Sequence, residues 1–325
     1  MALGTTATRV LFAILPLVLG SVRVAAVPRA TRSMRRADTS FLNPASVTTL
    51  SSSEVSAFEP YEQLARAAYC SSSSVTDWSC GEACSAVSGF ETTTAGGDGD
   101  SIQLYYVGYW PSENAVVVAH QGTDPTQFLS DLTDVDIATE NLNSTLFPGV
   151  SSSVWVHSGF ANEQAQTASI VLEATQSIIA SKGATTVICV GHSLGGALAE
   201  LDAVFFTLNL PSDIQVVGRT FGTPRVGNPA WASLVDSSVP DFTRMNNVDD
   251  PIPIVPGRAL GFQHPETELH VVSDDTYEVV ACPGNDDATD SDCTISSVPN
   301  IFDADLLNHL GPYPGGIHMG TIYCT

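Results

Sequence analysis

The stretch Val190-Gly191-His192-Ser193-Leu194-Gly195-Gly196-Ala197-Leu198-Ala199-Glu200 decides how this chain is read. It follows the apolar run Val187-Ile188-Cys189-Val190 and leads into Leu198 and Leu201. Residues 186–190 predict a buried strand. Residues 194–208 carry Leu194, Leu198, Leu201, Phe205 and Leu208 on one stripe, which predicts a helix packed on a sheet. A Gly-x-Ser-x-Gly between the two forces a sharp reversal, with Ser193 in strained backbone and glycines where side chains would clash. The helix that begins at Leu194 points free N–H groups and its positive dipole end at the serine. A nucleophile beside an oxyanion-binding turn has this arrangement.

A serine hydroxyl is a weak nucleophile and needs a base oriented by an acid. On strand–turn–helix frames of this kind the chain order is serine, acid, histidine. Downstream of Ser193, Asp249 and Asp250 follow a strand candidate at 243–248, and Pro251 turns Asp250 away from helical backbone. The histidines beyond them are His264, His270, His309 and His318. His309 precedes Gly311, Pro312 and Gly315, which suit a rigid turn.

Outward from this centre, further strands are expected at 102–107, 115–120, 154–157 and 215–221. Helices are expected at 52–69 (capped by Ser52 or Ser53), 160–182 and 228–235. Strands alternating with helices predict an α/β layer structure with a largely parallel sheet. No linker splits it, so residues 37–325 read as one domain. The serine-rich run 71–89 reads as a loop and 92–101 as a polar turn. Asp98 and Asp100 in that turn lack the calcium-loop pattern.

The N-terminus stands apart. Arg9, an apolar run over 10–19 and the small residues Ala25 and Ala26 read as a secretory signal peptide, 1–26. The run is short of the roughly 20 apolar residues of a spanning helix, so no transmembrane segment is expected. Residues 27–36 end at Arg35-Arg36 and read as a pro-segment. Residues 1–36 hold six arginines and no acids; the rest sets six basic residues against all 35 acids, a formal charge of −29. So acidic a surface repels phosphate backbones and anionic lipids, which excludes nucleic acid and favours a neutral partner. Seven cysteines in a secreted chain imply disulfides with one left over, and Cys189 inside its apolar strand is the spare. The other six allow 15 pairings. Cys80 and Cys84 have no second ligand pair at a metal-binding spacing. Asn143-Ser144-Thr145 is a glycosylation sequon.

On these residues the chain resembles the fungal class 3 lipase family, secreted α/β-hydrolases that include triacylglycerol lipases and feruloyl esterases. The similarity runs from about Glu54 to Thr325. The family's G-H-S-L-G-G motif is matched by Gly191 to Gly196, which makes Ser193 the nucleophile. Its N-x-x-D-x-[VI]-P run is matched by Asn247 to Pro253, which selects Asp250 over Asp249 as the acid. Its H-x-x-Y-x-G-like segment is matched by His309 to Gly315 with one extra residue, which leaves His318 as the alternative base. The family's R-G-[ST] becomes Gln121-Gly122-Thr123, so Thr123 and Leu194 are the implied oxyanion donors. The runs around His157, Gly222 and His264 also match and are read as scaffold. The resemblance implies disulfides Cys70–Cys324, Cys80–Cys84 and Cys282–Cys293, although the family's small pair has a different spacing. It also implies a lid over 124–132 with Pro125, Phe128 and Leu129, about one residue shorter than in well-known lipases.

The implied protein is a secreted, monomeric, glycosylated serine carboxylic-ester hydrolase, first of all a triacylglycerol lipase, with no cofactor and no metal. Its partner would be a neutral lipid or ester, at an oil–water interface for a true lipase. Feruloyl-type and other soluble-ester esterases, and mono- and diacylglycerol lipases, are alternatives on the same fold. A non-catalytic lipid-binding protein is a more distant one.

Overall fold

The computed structural model describes Met1 and residues 44–324, except 124, 134–136 and 287. The expected signal peptide and pro-segment, Met1 apart, lie outside the described residues.

In chain order the elements are β1 (Thr48–Thr49), α1 (Ser52–Ser56), α2 (Glu59–Ala67), α3 (Ser72–Thr76), α4 (Gly81–Ala86), β2 (Glu91–Gly96), β3 (Tyr105–Trp110) and β4 (Ala115–His120). Then come α5 (Pro125–Thr133), β5 (Thr139–Glu140), β6 (Val156–His157), α6 (Ser158–Lys182), β7 (Thr186–His192), α7 (Leu194–Asn209), β8 (Gln215–Phe221) and α8 (Pro229–Ser238). The chain closes with β9 (Asp241–Asn247), β10 (Glu268–Ser273), β11 (Glu278–Cys282), α9 (Thr294–Ser297) and α10 (Leu306–Leu310).

Nine strands form one sheet in the order β1-β11-β10-β9-β8-β7-β4-β3-β2. The central five, from β10 to β4, run parallel, and the flanking pairs are antiparallel. The parallel strands are apolar along their length because helices cover both faces. Successive residues alternate between two cores. Val116, Val118, Val187 and Cys189 join one cluster with α6 and α7. Val117, Ala119, Ile188 and Val190 join the other with α2. Each fully buried side chain of this size contributes roughly 1.5–3 kcal/mol of burial free energy. Among the described residues no helix is long and apolar enough to cross a membrane.

Several local expectations are corrected. The helix expected at 52–69 is two, because Pro60 in the first turn of α2 cannot extend a helix that began earlier. Its cap is Ser51, whose hydroxyl and backbone pair reciprocally with Glu54. The serine-rich run holds α3, capped by Ser71, and α4. Thr92–Gly96, read as a turn, pairs with β3 as an edge strand, while Asp98 accepts the N–H groups of Asp100 and Ile102 in the turn that follows. The strand expected at 102–107 runs instead over Tyr105–Trp110. The strand expected at 154–157 shrinks to β6, which pairs with β5 in a separate ribbon. Finally, α7 is buried all round from Gly195 to Phe206 rather than along one stripe, because α6 and α8 pack on the faces the sheet leaves open. Two acids, Glu200 and Asp202, are buried with it.

Candidate active site

Ser193 sits between β7 and α7 with φ 60° and ψ −130°, the strained backbone a nucleophile turn requires. A Cβ on Gly191 would lie 2.0 Å from the Gly195 carbonyl oxygen, and one on Gly195 would lie 2.1 Å from the His120 carbonyl oxygen. Only glycine fits at either place, which is the local reason for the motif. The Ser193 N–H donates to the Phe221 carbonyl at the end of β8 (2.9 Å).

Asp250 follows β9, its Oδ1 accepts the Ile252 N–H at 2.8 Å, and its Oδ2 lies 2.8 Å from His309 Nδ1 on α10. A carboxylate can only accept, so Nδ1 carries the proton and Nε2 is left as the basic lone pair. Ser193, Asp250 and His309 are all buried, and neither Ser193 Oγ nor His309 Nε2 has a hydrogen-bond partner among the described residues. The alternatives sit elsewhere. Asp249 gives its carbonyl to the Asp305 N–H, and the His318 ring stacks on Tyr323 at 4.8 Å between centroids.

Two residues not foreseen as functional hold this centre together. The Tyr69 hydroxyl lies 2.6 Å from His192 Nδ1, and His192 Nε2 lies 2.8 Å from the His309 carbonyl oxygen. The carbonyl can only accept, so His192 donates from Nε2 and accepts the Tyr69 proton at Nδ1. Burial, then the nearby His309, hold the His192 ring well below the usual histidine pKa, so it stays neutral. His192 is the histidine of the G-H-S-L-G-G pattern but falls on the variable position of the general Gly-x-Ser-x-Gly turn, and nothing in the spacing of Tyr69, 123 residues away, marks it.

Thr123 follows the end of β4 and lines a cleft of about 440 Å³ together with Gly122, Pro125, Leu307, Leu310 and Ile322. Gln121, standing where the family has arginine, pins this loop by its N–H to the Leu104 carbonyl (2.8 Å) and by Oε1 to the Leu104 N–H (3.1 Å). Leu194 opens α7 on the other side of Ser193. The segment expected as a lid is helix α5, lying against α10. Its Phe128 is buried at 6.1 Å from the Phe160 ring, with Leu129 and Pro125 half-buried.

The remaining expected residues are placed as follows. Cys70–Cys324, Cys80–Cys84 and Cys282–Cys293 are disulfide-bonded, and Cys189 is free and buried. Asn143 is exposed, with Oδ1 accepting the Thr145 N–H at 2.9 Å. His264 Nε2 donates to the Pro253 carbonyl (2.8 Å), and burial keeps it neutral. His157, read as hydrogen-bonded scaffold, donates its backbone N–H to the Val226 carbonyl (2.9 Å) and stacks on Phe160 at 4.3 Å, with no partner for Nδ1 among the described residues.

The class 3 lipase model matches residues 117–260. The secreted mono- and diacylglycerol lipase MDL3 of Malassezia globosa is 28% identical over 199 residues, covering 61% of this chain and 63% of that protein. The secreted alkaline triacylglycerol lipase of Penicillium cyclopium is 30% identical over 184 residues, covering 56% and 62%. The chain thus spans a little under two thirds of the length of these curated relatives. The structure of the Rhizomucor miehei lipase–propeptide complex superposes with a TM-score of 0.73 at 26% identity, covering 86% of this chain and 85% of that one. A solved triacylglycerol lipase described as having a serine protease triad at its catalytic centre gives 0.73 at 26%, covering 86% and 100%. The sheet order and the Ser193 turn are thus those of an α/β-hydrolase, and residues 117–260 of the chain match the class 3 lipase family.

Proposed function

We propose that the protein is a secreted, monomeric serine hydrolase that cleaves the ester bonds of acylglycerols, first of all triacylglycerols. The observation that carries this reading is the 2.8 Å pair of His309 Nδ1 and Asp250 Oδ2 with His309 Nε2 left unpartnered in the core that buries Ser193. In the reaction Ser193 Oγ attacks the ester carbonyl while His309 Nε2 takes its proton. Asp250 orients the ring and stabilises the imidazolium that forms. The N–H groups of Thr123 and Leu194 receive the oxyanion, and losing one such donor costs about 10²–10³ in rate. His309 then gives its proton to the leaving alcohol, and water, activated by the same ring, releases the fatty acid from Ser193. The chemistry uses no cofactor.

The charge distribution supports an uncharged substrate. All six Lys and Arg side chains among the described residues are engaged. Arg66, Lys182, Arg219, Arg225 and Arg244 pair with carboxylates, and Arg258 donates to a carbonyl. No free Lys or Arg side chain is left there to recruit an anionic surface. Secretion is supported by the three disulfides, by the leader-like residues 1–26 and by relatives named as secreted. A helix α5 that opens over the cleft would act as the lid at an oil–water interface. Mono- and diacylglycerols are a second reading, favoured by four Malassezia relatives named as lipases of these substrates.

The test is the hydrolysis rate of a triglyceride carried across its solubility limit, with Ser193→Ala as control. A jump in rate once droplets form is expected. Saturation below the limit would move the partial-glyceride and soluble-ester readings ahead, and an unchanged rate in Ser193→Ala would overturn the triad.

A further inference from the structure

His120 ends β4, three residues before Thr123, and its ring is turned to α7. Its Nε2 lies 2.8 Å from Asp202 Oδ2 on α7, and the other carboxylate oxygen accepts Gln164 Nε2 of α6 at 2.9 Å. All three side chains are at most 1% exposed. Nothing in the proposed chemistry uses them. A pair so placed is a poor choice for stability, since replacing a buried hydrogen-bonded pair by apolar residues of like volume is often neutral or stabilising. What polar pairs supply that apolar contacts do not is a fixed geometry.

The geometry concerned is that of the two candidate oxyanion donors. One, the Thr123 N–H, hangs from the end of β4; the other, the Leu194 N–H, opens α7. The two elements meet at this point, because the His120 carbonyl oxygen would lie 2.1 Å from a Cβ on Gly195, and His120 is in register with Gly191 of β7. How the tip of β4 seats on the first turns of α7 therefore sets the spacing of the donors. The His120–Asp202 bond ties the same β4 residue to the third turn of α7, two turns beyond Leu194, and Gln164 of α6 fixes the carboxylate from a third element.

We propose that His120 and Asp202 are positioning residues that hold the Thr123 and Leu194 N–H groups at the spacing an oxyanion needs. The inference rests on the reading of Ser193 as the nucleophile. Displacement of a donor reduces rate by a part of what its removal does, which is about 10²–10³.

The test compares the apolar double variant His120→Phe/Asp202→Leu with Asp202→Asn, which can still bond both His120 and Gln164 after a tautomer change of the imidazole. Melting temperature, kcat and KM on a soluble p-nitrophenyl ester, and the rate of Ser193 phosphonylation by an activated alkylphosphonate are measured for each. Expected are a wild-type melting temperature and KM for the double variant, with kcat and phosphonylation about 10-fold slower or more, and recovery of most of the rate in Asp202→Asn. Wild-type kcat in the double variant would overturn the inference. So would rates that fall only in step with melting temperature across both variants, the mark of a structural role. Failure of the unsubstituted chain to turn over ester or take up phosphonate would instead overturn the hydrolase reading on which the inference stands.

Discussion

The Tyr69 hydroxyl and His192 Nδ1 are 2.6 Å apart, and through the far side of the same ring His192 holds the His309 backbone carbonyl. The motif's second position thus links the segment after α2 to the nucleophile turn and to the turn that carries the base. Removing the hydroxyl leaves a buried ring nitrogen unsatisfied, at about 1–3 kcal/mol. Tyr69→Phe is expected to lower the melting temperature and to cut kcat about 10-fold with KM unchanged. Steady-state kinetics on a soluble ester check this, and a wild-type kcat would show that the link does not position His309.

A methyl group on Gly222 tests the acid–base pair from another side. Its φ is +51°, and a Cβ there would lie 2.8 Å from Asp250 Oδ2 and 2.9 Å from His309 Nδ1. Gly222→Ala must push the pair apart, and misplacement near 1 Å costs about 10²-fold in rate. The expected result is that loss in kcat with Ser193 still present in a folded chain, read by circular dichroism beside the kinetics.

The bond between Cys70 and Cys324 closes a loop with a sequence separation of 254. In the chain-entropy account a loop of that length destabilises the unfolded state by about 5 kcal/mol. Cys70→Ser/Cys324→Ser is therefore expected to melt well below the wild type under oxidising conditions, and the same comparison in reductant is expected to close most of the gap.

Burial pushes the Glu200 carboxyl up to about 8 from an ordinary 4.5, even though the Trp231 N–H, 2.6 Å away, and Arg244 both pull it down. The folded pKa is raised, so the stability it contributes is fully present below about 4.5 and is lost as pH rises through about 8. Burial acts on Glu62 in the same direction, and both of its carboxyl oxygens lack a hydrogen-bond partner among the described residues. The melting temperature is expected to fall between about pH 5 and 8, and Glu200→Gln is expected to flatten that fall. An identical pH slope in the variant would assign the loss to other groups.

What could be read ahead of the structure followed from how local the cause is. Strand β7, the turn at Ser193 and helix α7 announce themselves because apolar period, glycine and helix start fall within twenty consecutive residues. Strands β10 and β11 went unforeseen. β10 buries Glu268 and His270 on a strand, and the partners that make this tolerable, Arg244 and the Val248 carbonyl among them, are far away in sequence. Composition misled at Thr92–Gly96, where pairing with β3 overrides a turn-like run. At the site, Asp250 and His309 were one choice among several acids and histidines until the family pattern narrowed them. The Tyr69–His192 and His120–Asp202 bonds span 123 and 82 residues, and no spacing rule reaches that far.

The proposed mechanism stands on Ser193 as the nucleophile. Incubation with an activated alkylphosphonate, followed by peptide mass spectrometry and residual-activity assay, tests it directly. One phosphonyl group per chain is expected, on the peptide that contains Ser193, with activity lost in step. Full ester hydrolysis with Ser193 unmodified, or an adduct on another residue that abolishes activity, would contradict it.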